Sequence, residues 1–147
     1  MIPAWCEPFV GLPFAEHGRD WRGVDCYGLV YLVMGQVFGL ILNEWAGLCP
    51  LAEAPAVAGT LELARVADNW QRAEGTPRLG DVLVFREHGH PSHVGIVVAP
   101  AAGLMLHAMP EIGAVIQSYR SPRWAPRLEY TVRHPKFDGR APRLARP

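Results

Sequence analysis

The 147-residue chain is poor in cysteine: Cys6, Cys26 and Cys49 form an odd set with no C-x-x-C pair. That excludes a disulfide-stapled scaffold and a cysteine-rich zinc module, and leaves free thiols as the simplest state. It has no uninterrupted apolar run of about eighteen residues, the length a spanning helix needs. The longest apolar stretch, 27–42, is broken by Gly28, Gly35, Gln36 and Gly39, so no membrane span is expected. The N-terminus, Met-Ile-Pro-Ala-Trp-Cys-Glu, lacks a basic leader and an apolar h-region, and does not read as a Sec signal peptide. Work outside the cytoplasm therefore calls for another carrier. Also lacking are internal repeats and any aromatic-interleaved basic motif, so no direct nucleic-acid recognition is expected.

Net charge is zero, but it is unevenly spread. Residues 1–118 hold six Arg against twelve acids, and residues 119–147 hold eight Arg or Lys against two acids. We expect the basic, proline-rich end to lie on an acidic body as a solvated tail, with docking to an acidic partner or an anionic envelope as the alternative. Half the residues are apolar, which suits one compact domain with a true core. The expected organisation is a single domain over 1–134 and a tail over 135–147.

Along the chain, an irregular or short helical opening ends at Gly11-Leu-Pro-Phe, and a loop covers 16–24. Then Cys26, Leu29, Val30, Val33, Met34 and Val37 follow the stripe of a buried helix face, with Asp25 as its N-cap. Residues 43–58, rich in Ala, Pro and Gly, read as irregular, and a second helix is expected near 61–72. Short strands rich in Val, Ile and Leu follow at 81–86, 93–99, 104–108, 115–119 and 128–133. Helices first and strands later imply an α+β domain whose N-terminal helices pack on a roughly five-stranded antiparallel sheet.

Three positions can carry chemistry. Cys26 falls in the first turn of a helix, where free N–H groups and the macrodipole favour a thiolate; a lone helical cysteine is otherwise a small core residue. His93, in Ser92-His93-Val94-Gly95, opens a strand that would hold it rigidly, and Gly95 leaves room beside it. A hairpin centred on Pro100 would set His93 directly opposite His107 on one face. A thiol, an imidazole base and a third group orienting that base form the triad logic of acyl transfer. The spacing His88-x-His90-x-x-His93 lies in an expected loop with no second cluster of Cys or carboxylates nearby, so no metal site and no cofactor is expected. Asp81 reads as a turn residue.

Asp25-Cys26-Tyr27-Gly28-Leu29-Val30, Gly80-Asp81-Val82-Leu83-Val84-Phe85, Ser92-His93-Val94-Gly95-Ile96 and Leu106-His107-Ala108 stand in the order of the motifs of NlpC-type cell-wall peptidases. Over about residues 5–133 the chain resembles that family of papain-like cysteine hydrolases, which cut the peptide stems of bacterial peptidoglycan. The resemblance implies Cys26 as nucleophile, His93 as base and His107 as third residue, with Phe14, Tyr27 and Ser92 at substrate-binding positions. Members of the family usually have Ser where Tyr27 stands and a loop Tyr where Phe14 is the nearest match. Leu12-Pro13-Phe14, Gly18-Arg19 and the aromatic after Cys26 look more like the branch found among phage-tail and gene-transfer-agent genes. That branch implies a virion component that meets other tail proteins and opens the wall as DNA passes. A structural tail protein that keeps the fold but uses the triad little is the alternative.

Overall fold

The computed structural model describes residues 2–44, 54–137, 139, 141–145 and 147; Cys49 and most of the stretch read as irregular over 43–58 lie outside them. A 3-10 turn at Ala4–Cys6 leads into a two-stranded ribbon, β1 (Arg19–Asp20) and β2 (Gly23–Val24), where the sequence suggests only loop. Helices α1 (Cys26–Phe38) and α2 (Ala54–Ala67) follow. The remaining strands are β3 (Gln71–Arg72), β4 (Val82–Glu87), β5 (His90–Ala99), β6 (Leu104–Met109), β7 (Gly113–Ser118) and β8 (Leu128–Arg133). They form one antiparallel sheet in the order β3-β8-β4-β5-β6-β7. This is an α+β domain with the papain-like cysteine peptidase fold. The sheet has six strands rather than five, because the two residues of β3 pair with the end of β8.

Helix α1 is buried nearly all round, as an apolar helix must be. Every residue of the expected stripe is in the core, joined by Tyr27, Leu32 and Phe38. The helix begins at Cys26 because Asp25 Oδ1 accepts from the Gly28 N–H at 2.6 Å, satisfying a first-turn donor. It stops at Gly39, whose φ of 70° closes the end in the left-handed region. Helix α2 begins about seven residues earlier than its periodicity suggests and ends at Ala67. Pro55 lies in its first turn, where the missing N–H costs nothing, so a proline that looks like a breaker sits at a start.

The sheet is covered on both sides. Val82, Val84, Val94, Ile96 and Val98 join the α1 core. Leu83, Phe85, Val97, Met105, Tyr119 and Trp124 build a second cluster on the opposite face. The C-terminal segment is less solvated than expected. Phe137 packs edge-on against Phe38, and Arg143 donates to the carbonyls of Gly35 and Gln36 at the end of α1. A cation there complements the negative end of the helix dipole.

The β5–β6 register differs from the hairpin expected around Pro100. Ile96 pairs with Leu106 and Val97 with Met105, a register that brings Gly95, not His93, up against His107 just past the last ladder pair. A bulge between Val97 and Ala99 and a 3-10 turn at Pro100–Ala102 take up the difference. The shift is by two residues, which keeps side chains on the same face, so His93 and His107 remain neighbours on a diagonal. Strand β5 also starts earlier than expected, after a two-residue turn of His88 and Gly89 with φ of 52° and 80°. Its Pro91 is tolerated because β6 pairs only from Ile96 onward, leaving that edge without a ladder.

Gly28 tests this account of the helix start. A Cβ there would collide with the Gly18 carbonyl oxygen and approach Arg19 Nη1 at 2.8 Å, whereas one at Gly35 would meet only the Leu40 carbonyl at 3.9 Å. Chemical denaturation is expected to show Gly28→Ala losing about 1–3 kcal/mol, and Gly35→Ala losing nothing or gaining up to about 1 kcal/mol.

Candidate active site

The site assembles where β5 and β6 part. Their ladder ends at the Ile96–Leu106 pair, although β5 reaches back to His90 and β6 on to Met109. The N-terminus of α1 meets β5 there, where the backbone N–H groups of Val94 and Tyr27 favour the thiolate of Cys26. A cleft of about 680 Å³ opens at this point, lined by Cys26, His93, Phe14 and Ser92 among others. Four of the six positions singled out in the sequence therefore line one cavity. His107 stands directly behind His93, fully buried. Tyr27 is turned away: it is 5% exposed, its hydroxyl donates to the Asn43 carbonyl at 2.7 Å, and Arg19 lies over its ring. It ties the helix start to the segment after α1 rather than facing the cleft. His88 lies in the cleft wall and Cys6 is buried in the core.

Asp25 holds the cysteine in place. Its carboxylate is fully buried and accepts from Gly28 N–H, from Arg19 Nη1 at 2.7 Å and from His17 N–H at 3.0 Å. The pairing leaves no oxygen unsatisfied, as a buried charge requires. Asp81, read from the sequence as a turn residue, has a similar structural role: buried, it accepts a two-pronged bond from Arg133 at 2.7 Å and the Arg78 N–H.

The two imidazoles belong to a longer chain of hydrogen bonds. His93 Nε2 is 2.8 Å from His107 Nδ1, and His107 Nε2 is 2.8 Å from Gln117 Oε1. Trp124 Nε1 donates to the same oxygen at 3.0 Å. An indole N–H can only donate, so the Gln117 atom facing it is the carbonyl oxygen, and that oxygen must accept from His107 Nε2–H. His107 then offers a bare Nδ1, His93 donates its Nε2–H to it, and His93 Nδ1 is left with a lone pair. Trp124 locks the arrangement, stacked on His93 at 5.1 Å and 20° and edge-on to His107. Phe85 backs the Trp124 ring. Neither Gln117 nor Trp124 is legible as a site residue in the sequence. Gln117 is a polar residue in an apolar strand, and Trp124 lies in an irregular connection. Only the register Met105–Gln117 and His107–Val115 brings the glutamine diagonal to the histidine.

Electrostatically the site is set for neutral partners. Burial, then the Asp25 carboxylate, pushes the Cys26 thiol up to about 12, and the backbone bonds from Val94 and Tyr27 only partly oppose them. Burial, then the neighbouring His107, pulls His93 down to about 3; burial pulls His107 down to about 4, against the Gln117 bond. The helix N-terminus favours a thiolate, whereas burial and the Asp25 carboxylate raise the thiol's pKa. Cys6 is likewise raised to about 12 by burial, so acidity does not distinguish the two thiols; access to the cleft does. The cleft thus holds a thiol and a neutral imidazole whose Nδ1 carries a lone pair, the two groups that general-base activation of a nucleophile requires.

A thiol at a helix start beside paired histidines on a sheet, within this fold, defines the class of papain-like cysteine peptidases. Residues 11–133 match the NlpC/P60 family, and the chain belongs to it. Among solved structures it is similar to the NlpC/p60 domain of peptidoglycan hydrolase SagA, with a TM-score of 0.59 and 22% identity, covering 88% of this chain and 93% of that one. It is also similar to an NlpC/P60 family protein from Bacillus cereus, at TM-score 0.61 and 18% identity over 91% of this chain. A third similarity, at TM-score 0.58 and 20% identity over 88% of this chain, is to a lipoprotein-like NLP/P60 protein from Staphylococcus aureus. The chain spans only 41% and 38% of those last two chains. No curated protein matches.

Two outcomes are expected. In long-range 1H–15N NMR spectra, His93 and His107 should both be Nε2–H tautomers that stay uncharged at pH 6, and Gln117→Leu should mix the tautomers. Their folded values lie below the ordinary imidazole value, so the unfolded chain binds protons first as pH falls. Stability should therefore be lost between about pH 6.5 and 3. For the thiol, Cys26 alkylation by iodoacetamide in the resting protein should be slower at pH 6 than that of an exposed thiol and should climb steadily to pH 10. A plateau below pH 7 would show a preformed thiolate and overturn this account.

Proposed function

We propose that this protein is a cysteine peptidase that hydrolyses amide bonds in the peptide stems of peptidoglycan. Cys26 is the nucleophile, His93 the base, and His107 the residue that orients the base. The observation that carries this reading is the single cleft lined by Cys26 and His93, with His93 bonded behind to His107. Family membership supports it, as does the printed description of SagA as a peptidoglycan hydrolase.

Cys26 Sγ attacks the scissile carbonyl carbon while its proton passes to His93 Nδ1. The imidazolium is held through its Nε2–H by His107 Nδ1, a neutral acceptor that orients it without neutralising its charge. The oxyanion forms beside the N-terminus of α1, whose first N–H groups lack helical acceptors and whose dipole favours negative charge. Collapse expels the amine, which takes the proton from His93 and leaves a thioester. Water, deprotonated by the same nitrogen, then releases the acid and restores the thiol. Phe14 and Ser92 line the cleft and contact the stem. Within the stem, cleavage between γ-D-glutamate and diaminopimelate is the leading choice, with other stem and cross-bridge amides open to it.

The enzyme acts as a component of a phage-like tail that opens the wall as DNA passes into the cell. The motifs Leu12-Pro13-Phe14, Gly18-Arg19 and Asp25-Cys26-Tyr27-Gly28 support this placement. The basic C-terminal region is a docking segment for other tail proteins.

Digestion of purified sacculi with mass identification of the fragments tests both parts. Wild-type protein should release stem fragments, Cys26→Ala should release none, and Cys6→Ala and Cys49→Ala should remain active. Particles carrying Cys26→Ala should assemble yet fail to deliver DNA. Wild-type protein inert on every peptidoglycan offered, with assembly failing when the protein is missing, would make it a structural tail component.

A further inference from the structure

We propose that Arg123 and Arg127 form a carboxylate-binding subsite on the wall of the cleft, selecting peptides with a free carboxylate close to the scissile amide. The proposal deepens the hydrolase reading and rests on it for the identity of the cleft.

Both arginines lie in the connection between β7 and β8 and line the cleft, one on each side of Trp124 in sequence. Their guanidinium carbons are 5.3 and 5.6 Å from the centre of the Trp124 ring. That ring is buried and stacked on His93, so the same side chain that braces the base also anchors the two cations. Both side chains are solvent-exposed, with the Trp124 ring as the contact they share on the cleft wall.

Neighbouring arginines are already engaged. Arg86 pairs with Glu129 and donates to the Pro126 carbonyl, and Arg120 donates to the carbonyls of Pro100 and Ala101. Among the described residues no ion pair engages Arg123 or Arg127. The other charged or titratable groups in the cleft are Glu87 and Arg86 on β4, His88 in the β4–β5 turn and Glu111 in the β6–β7 turn. Glu87 feels both guanidiniums at a distance without forming an ion pair with either. Two exposed guanidiniums thus line the cleft with no ion-pair partner among the described residues, a donor set that suits two-pronged recognition of a carboxylate.

The placement is also costly unless an anion arrives. Two cations beside His93 oppose the positive charge that the imidazole must take up during catalysis. A substrate carboxylate docked on Arg123 and Arg127 cancels that field, so it strengthens the base at the moment the substrate is bound. Recognition and activation then draw on the same contact, and loss of the carboxylate lowers kcat as well as raising KM.

The test uses stem peptides in two forms, with the carboxylate nearest the scissile amide either free or converted to a carboxamide. Calorimetry on the Cys26→Ala protein should show the free-carboxylate form binding about tenfold or more tightly, with the advantage shrinking at high salt. Arg123→Gln/Arg127→Gln in that background should abolish the advantage, and Arg123→Lys/Arg127→Lys should keep part of it. Equal affinity for the two forms in Cys26→Ala overturns the proposal, as does an advantage that survives in a Gln double variant that melts like its parent. In turnover, wild-type kcat/KM should favour the carboxylate form through both constants. Carboxylate-selective binding without hydrolysis of either form would sink the hydrolase reading and leave the subsite standing.

Discussion

The buried carboxylate of Asp25 is the constraint from which the rest of the site follows. It caps α1 through Gly28, draws Arg19 in from the β1–β2 ribbon, and accepts from the backbone at His17. The 17–19 segment and the first turn of α1 are thereby both fastened to the residue next to Cys26. Gly28 must lack a side chain for this contact to close, because the Gly18 carbonyl occupies the space a Cβ would need. The same charge has a chemical consequence. Burial first, and then this carboxylate beside the thiol, oppose thiolate formation at Cys26.

The opposite face of the sheet solves a different problem, that of choosing which nitrogen carries each proton. Gln117 accepts from both Trp124 and His107, and because the indole can only donate, the order of donors and acceptors along the chain is forced. A carboxylate in the third position would orient His93 and also stabilise its charge; a neutral His107 can do only the first.

Much of this was legible in the chain. The α1 stripe, its cap and Cys26 at its start depend on neighbours within a few residues, and helix periodicity reports them directly. The strands of the central sheet were readable for the same reason, since each is a short apolar run bounded by Gly or Pro. What misled were places where local preference and tertiary context disagree. The Ala-Pro-rich start of α2 reads as irregular, and the ribbon β1–β2 is held by the Asp25 contact rather than by any strand pattern. The hairpin register failed by two residues because a bulge and a 3-10 turn are not visible in residue spacing. The histidines still met, since an even slip keeps their face.

The sequence by itself determined the α+β order of elements, the cap on α1, and the thiol and two histidines that line or back one cleft. Each of these rests on short-range patterns or on residue chemistry. Tertiary packing alone turns Tyr27 away to Asn43, lets Gln117 and Trp124 set the imidazole protons, and buries the Cys26 thiol so that its pKa rises. Those outcomes depend on which surfaces are excluded from water and which strands lie side by side. Both are properties of the packed chain, not of any segment in it.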